Sequence, residues 1–269
     1  MPIYPNSHGS GILPNIMEKR LVMHGILIAY HEEGRGDRAV IFLHGWRSNG
    51  TIWRPLIDCL EIGKRTLYSL DLPGFGMSET PKECLTVGDY ADIVKGFVDA
   101  VCPEKDIVLV GHSFGARIAV KIAAEDPEWL ARLVLIGSGG ADMNAAERGA
   151  KKAIAKFAKP FFKARFMQPL RKRLYTMIGA GDYVETPELK ETFVNVIGED
   201  IAPLFPKVMA DTLVIWGEKD DMAPLAYGKK IAAKIPNADL EIVENAGHYC
   251  FVEKPAECAE LIREFLEKK

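Results

Sequence analysis

Three side chains in this 269-residue chain could together turn a serine into a nucleophile. Ser113 lies in Gly111-His112-Ser113-Phe114-Gly115, Asp220 in Gly217-Glu218-Lys219-Asp220-Asp221, and His248 in Asn245-Ala246-Gly247-His248-Tyr249. A serine hydroxyl attacks poorly at neutral pH unless an adjacent base takes its proton. The base in turn needs a carboxylate that fixes its tautomer and balances the imidazolium charge. The chain order serine, aspartate, histidine suits a nucleophile carried on a strand-to-helix turn. Asp221 competes with Asp220, because adjacent side chains point in different directions and only one can face the histidine; Asp142 is a more distant rival. An attacked carbonyl also needs two backbone N–H groups aimed at its developing oxyanion. Phe114, directly after the nucleophile, would give one. Trp46, in the loop His44-Gly45-Trp46-Arg47, would give the other, with Gly45 letting the backbone come close.

These residues must be held by strands and helices of a particular kind. Ile107-Val108-Leu109-Val110 runs into the serine pentapeptide, and a helical stretch from Phe114 to Glu125 leaves it. Strand, Gly-x-Ser-x-Gly turn and helix make a nucleophile elbow, in which a Cβ at Gly111 or Gly115 would collide with its neighbours. Ala39 to Leu43, Thr66 to Leu70, Leu133 to Ile136 and Leu213 to Trp216 are further continuous apolar runs. Such non-alternating strands, separated by helical stretches, predict a mostly parallel sheet covered on both faces. The helices expected between them are 51–59, 87–101 and 224–235, with a last strand at 240–243 and a closing helix at 255–267. Residues 18–24 and 26–31 read as an antiparallel hairpin at a sheet edge. The strand–helix rhythm breaks from 141 to 205, which predicts a helical cap inserted between two core segments, 17–140 and 206–269. Residues 1–16, rich in Pro, Gly, Ser and Asn, read as a flexible leader, with Met17 a candidate natural start.

Composition narrows the partners. Hydrophobic residues are 48% and the formal net charge is -3, so nothing drives the whole chain toward nucleic acid. Five cysteines, Cys59, Cys84, Cys102, Cys250 and Cys258, form no Cys-x-x-Cys pair, which argues against a zinc site or disulfide framework and points to a reducing, cytoplasmic setting. No apolar run is long enough for a membrane span, and no secretory signal is visible. Within the cap, residues 147–173 carry ten cations against a single anion, Glu147, interleaved with Phe157, Phe161, Phe162, Phe166, Met167 and Leu170. That segment is either an amphipathic surface for anionic lipid or an acidic substrate, or a solvated helix face whose aromatics line a lid; the second reading is favoured.

Taken together, the motifs resemble the α/β-hydrolase superfamily over residues 20–268. The matching pieces are His44-Gly45-Trp46, Asp71-Leu72-Pro73-Gly74-Phe75-Gly76-Met77-Ser78, the elbow, Gly217-Glu218-Lys219-Asp220 with Pro224, and Gly247-His248. The resemblance implies a serine hydrolase on the α/β-hydrolase fold. Asp220 rather than Asp221 would be the acid, 71–78 a structural turn, and 141–205 the cap that shapes the pocket. It implies no metal or organic cofactor and a small-molecule substrate, with an apolar carboxylic ester ranked first. Haloalkane dehalogenases and epoxide hydrolases of this fold carry an aspartate where Ser113 stands, and prolyl iminopeptidases a Gly-Gly-Ser-Trp-Gly elbow. Hydrolases of carbon–carbon bonds more often have Asn at the position of His112, yet Ser48-Asn49 is compatible with them. A ligand-sensing protein that keeps the fold without using it is a further alternative.

Overall fold

Among the described residues eight strands pair into one sheet, in the spatial order 17–23 (β1), 26–33 (β2), 65–70 (β4), 38–43 (β3), 107–112 (β5), 130–136 (β6), 211–217 (β7) and 238–243 (β8). The computed structural model describes residues 17–61, 63, 65–102, 106–139 and 187–268. The expected leader, most of the expected cap with its basic segment 147–173, and Asp142 lie outside the described residues. β1 (Met17–Met23) and β2 (Ile26–Glu33) form the expected edge hairpin. Its two-residue turn, His24-Gly25, has positive φ at both positions (48° and 78°), the backbone twist that suits a tight hairpin. β2 joins β4 (Arg65–Leu70) antiparallel. From there β3 (Arg38–Leu43), β5 (Ile107–His112), β6 (Leu130–Ile136), β7 (Asp211–Gly217) and β8 (Ala238–Val243) all run parallel.

Alternate residues of the inner strands feed two separate cores, as a pleat covered on both faces requires. On one face, Ile41, Leu109 and Trp216 pack against α2 (Val87–Val101), α3 (Phe114–Ala123) and the helix of residues 225–234. On the other, Phe42, Val110 and Ile215 meet α1 (Arg54–Ile57) and the closing helix of residues 255–267. Thr86 and Asp89 exchange hydrogen bonds in a capping box that starts α2. The chain leaves the described core after β6 and re-enters it with α4 (Lys190–Gly198), preceded by a 3-10 turn at Pro187–Leu189 and followed by another at Ala202–Lys207. α5 (Leu225–Lys234) follows β7. After β8 come a short helix not foreseen in the sequence, α6 (Cys250–Glu253), and α7 (Pro255–Glu267).

Trp216 fixes the loop that follows β7. Its buried indole N–H donates to the Ala223 carbonyl at 2.7 Å, and its ring lies so close to α5 that a Cβ on Gly228 would approach it to 2.7 Å. We expect Trp216→Phe to leave the Ala223 carbonyl unpaired and to lower unfolding stability in urea by about 1–3 kcal/mol. An unchanged urea midpoint would contradict this anchoring role.

Candidate active site

Ser113 sits where β5 ends and α3 begins, with φ 50° and ψ -105°, a conformation that strains a residue bearing a Cβ. Such strain costs on the order of 1–3 kcal/mol and persists only where the surroundings enforce it. They do so here. A Cβ on Gly111 would lie 2.6 Å from the Ala116 Cα, and one on Gly115 only 2.0 Å from the Leu43 carbonyl oxygen. The Ser113 N–H donates to the Ile136 carbonyl on β6 at 2.9 Å. As the residue preceding a helix, Ser113 stands where the first N–H groups have no intrahelical partner, the Phe114 N–H among them.

The loop after β3 comes down on this turn. A Cβ on Gly45 would lie 3.4 Å from the Ser113 Cβ, and the Trp46 and Phe114 rings are 5.3 Å apart. The structure therefore brings together the two residues expected to form an oxyanion hole. His44 orients the peptide between Gly45 and Trp46. The His44 Nε2 accepts from the Leu72 N–H at 2.9 Å, so its proton is on Nδ1, which donates to the Gly45 carbonyl at 2.7 Å. The Ser48 N–H donates to the same carbonyl at 3.3 Å. In a trans peptide the N–H points opposite to the C=O, so the Trp46 N–H faces away from His44. His44 is fully buried, and burial lowers its pKa to about 4, against partial compensation from its bond to Gly45 and from the Asp71 charge.

Asp71 has the structural role expected of it. Its Oδ1 accepts from the Gly50 N–H at 2.6 Å and its Oδ2 from the Met77 N–H at 2.7 Å, while a Cβ on Gly76 would lie 2.1 Å from Oδ2. The carboxylate ties the 71–78 turn to the segment after the β3 loop.

Asp220 and His248 meet across the loops after β7 and β8. His248 Nδ1 and Asp220 Oδ2 are 2.8 Å apart, both side chains being almost wholly buried. The other Asp220 oxygen, Oδ1, accepts from the Met222 and Ala223 N–H groups at 2.9 and 2.7 Å. Asp221 is exposed, and Asp142 is outside the described residues. The two loops are zipped by backbone: the Lys219 N–H donates to Ala246 and the Glu218 N–H to Val243. A Cβ on Gly217 would come within 2.1 Å of the Gly247 carbonyl. The His248 loop is fastened to the elbow through His112, whose Nε2 donates to the His248 carbonyl at 3.0 Å. Burial, and then the neighbouring His248, hold the His112 pKa well below its ordinary value. The sequence reading places His44 in the oxyanion loop and takes His112 as a departure from a pattern, without a bonding role for either side chain. Their partners lie 28 and 136 residues away.

A buried neutral histidine makes stability depend on pH. His44 binds its proton at about pH 4 in the fold but near 6.5 when unfolded. Between those values the unfolded chain takes up the proton first, so His44's contribution is complete above about pH 6.5 and is lost as pH falls toward 4. The 2.5-unit difference corresponds to on the order of 3 kcal/mol. We expect the thermal midpoint, followed by circular dichroism, to drop across this window, and His44→Gln to flatten the drop. An equally steep drop in the variant would remove His44 as its source.

Among the described residues no helix is long and apolar enough to cross a membrane, and no cluster of histidine, cysteine and acidic residues could hold a metal ion. Comparison with known proteins matches residues 40–261 to the family model described as alpha/beta hydrolase family. A 2-hydroxy-6-oxo-6-phenylhexa-2,4-dienoate hydrolase of Comamonas testosteroni is 30% identical over 267 residues, covering 90% of this chain and 92% of that protein. A crystal structure of a membrane phospholipase A superposes with a TM-score of 0.74 at 25% identity, covering 94% of this chain and 86% of that one. A thermophilic esterase from Thermogutta terrifontis gives a TM-score of 0.69 at 23% identity, over 93% and 98% of the two chains, a likeness of fold. With its elbow, its strand order and the extent of these matches, the chain belongs to the alpha/beta hydrolase family.

Proposed function

We propose that the protein is a serine hydrolase that cleaves an apolar carboxylic ester through an acyl-enzyme. The observation that carries this reading is the buried Asp220–His248 pair fastened beside the strained Ser113 turn. In the proposed reaction His248 takes the Ser113 proton as Oγ attacks the ester carbonyl. Asp220, its oxygens shared between the imidazole and two N–H groups, keeps the tautomer and offsets the imidazolium charge. The Trp46 and Phe114 N–H groups receive the oxyanion. The C–O bond breaks, His248 protonates the leaving alcohol, and water activated by the same imidazole releases the acid and regenerates Ser113. Losing one oxyanion donor typically costs about a hundred- to a thousandfold in rate. The aromatic side chains gathered at the oxyanion loop (Trp46, Phe75, Phe114 and Phe193) support an apolar acyl group. Five cysteines outside any disulfide support a reducing, cytoplasmic location.

A second reading is carbon–carbon bond hydrolysis by the same three residues. It is favoured by the Comamonas relative, whose named substrate has a ketone and no ester. One panel separates the two: p-nitrophenyl esters of increasing chain length beside 2-hydroxy-6-oxo-6-phenylhexa-2,4-dienoate, followed by release of nitrophenol or loss of the dienol absorbance. Turnover of the dienoate alone would replace the ester reading.

Ser113→Ala should abolish ester turnover and labelling by a fluorophosphonate probe while leaving the circular dichroism spectrum unchanged. Asp220→Asn should lower kcat by roughly ten-thousandfold, as expected when an imidazole loses its orienting carboxylate. Asp221→Asn should stay within a few-fold of the parent. Surviving turnover in Ser113→Ala, or a reversed order for the two aspartates, would overturn these roles.

A further inference from the structure

Arg117 lies one helical turn beyond Ser113 on α3 and is only 7% exposed, an uncommon place for a guanidinium. It reaches out of the core toward the segment that re-enters the described structure after β6. Its Nη2 donates to the Val196 carbonyl at 2.8 Å and also to the Glu199 carbonyl. Val196 belongs to the last turn of α4, whose final carbonyls have no partner within the helix, and a cation is favoured at that end of the helix dipole. One turn further along α3, the Lys121 ammonium meets the Glu199 carboxylate at 2.9 Å. Two basic side chains of the nucleophile helix thus grip the C-terminal end of α4.

What α4 brings to the site is Phe193. It lies three residues before Val196, on the same side of the helix. Its buried ring stands 5.1 Å from Trp46, the residue assigned to the oxyanion loop. The other end of α4 has ties of its own, among them the Cys84 thiol, which donates to the Glu191 carboxylate at 2.9 Å. Thr192 accepts from the Leu85 N–H at 3.1 Å, and Leu189 packs where Gly74 has no Cβ. An apolar side chain in place of Arg117 could join α3 to α4 without the cost of burying a charge. Unlike a forked donor bonded to two carbonyls, it could not choose one seat for the helix end.

We propose that Arg117 is a positioning residue that sets acyl-side specificity: by clamping the end of α4 it fixes how far Phe193 reaches toward Trp46. This rests on the serine-hydrolase reading, with the acyl group lodged beside the oxyanion loop. Arg117 touches no reacting atom in this scheme, so Ser113 chemistry with a small acyl group does not require it.

The test compares the parent, Arg117→Met, Arg117→Lys, Phe193→Ala and the Arg117→Met/Phe193→Ala pair on p-nitrophenyl acetate and octanoate. Each protein is also treated with a small fluorophosphonate. All should be labelled. Arg117→Met should raise the octanoate-to-acetate ratio of kcat/KM by about tenfold or more, mainly through the octanoate KM, with kcat on acetate little changed. Arg117→Lys should restore part of the parent ratio, and the double variant should not exceed Phe193→Ala. An unchanged ratio in Arg117→Met, an equal loss of kcat on both esters, or additive shifts in the double variant would each overturn the clamp. Should Arg117→Met fail to fold, an Arg117→Lys protein with the parent's ratio overturns it equally. A parent protein that the fluorophosphonate does not label fails the serine-hydrolase reading itself, and the clamp as a specificity device falls with it.

Discussion

Everything at this site depends on one close approach of backbone to backbone. Gly115 at the start of α3 lies against the Leu43 carbonyl at the end of β3, with no room for a single carbon between them. That contact fixes how sharply the chain turns through Ser113 and how near the following loop, with Gly45 and Trp46, comes to the turn. Two strands adjacent in the sheet, β3 and β5, thereby deliver two loops to one point. A side chain at Gly115 would push them apart, and no rearrangement of the other residues could restore the spacing. The strain at Ser113 is enforced by these contacts, with the well-packed runs of β3, β5 and β6 behind it.

Four buried side chains around the turn are held in place by hydrogen bonds to the backbone. His44 gives its one proton to the Gly45 carbonyl and accepts one from the Leu72 amide. His112 spends its donor on the His248 carbonyl. Asp71 and Asp220 each collect two backbone N–H groups. A fixed set of dipoles this close to a serine needs little reorganisation when charge develops, which is the condition under which electrostatic stabilisation is strongest. The His112 ring, 4.7 Å from that of His248 and held neutral by burial, adds no competing positive charge beside it.

Much of this was legible in the sequence, because the signals were local. The continuous apolar runs identified β3 to β7, and the glycines of the elbow announced their own necessity. The span 87–101 coincides with the observed helix, since periodicity acts over a few residues. Edges were less legible. β6 begins at Leu130, three residues earlier than its apolar run, because pairing with β5 continues past the exposed Ala131. β8 likewise begins at Ala238, its exposed edge positions masking the pattern. Spacing left Asp220 and Asp221 open and only the family resemblance favoured Asp220, the one found buried against His248. The bonds that the His44, His112 and Arg117 side chains make were not legible, because their partners lie 28 to 136 positions away and no spacing rule reaches that far.

The zipped loops after β7 and β8 have a consequence for how the molecule comes apart. β8 is an edge strand, and edges and chain ends open locally at lower free energy than inner strands. Because Lys219 and Glu218 are bonded to the end of β8 and the loop that carries His248, opening of that edge takes Asp220 and His248 away in one event. Ser113 lies between β3 and β6, near the middle of the sheet, and does not share that fate. A partly opened molecule would therefore keep a well-formed Ser113 turn with His248 gone from beside it, native over most of its core.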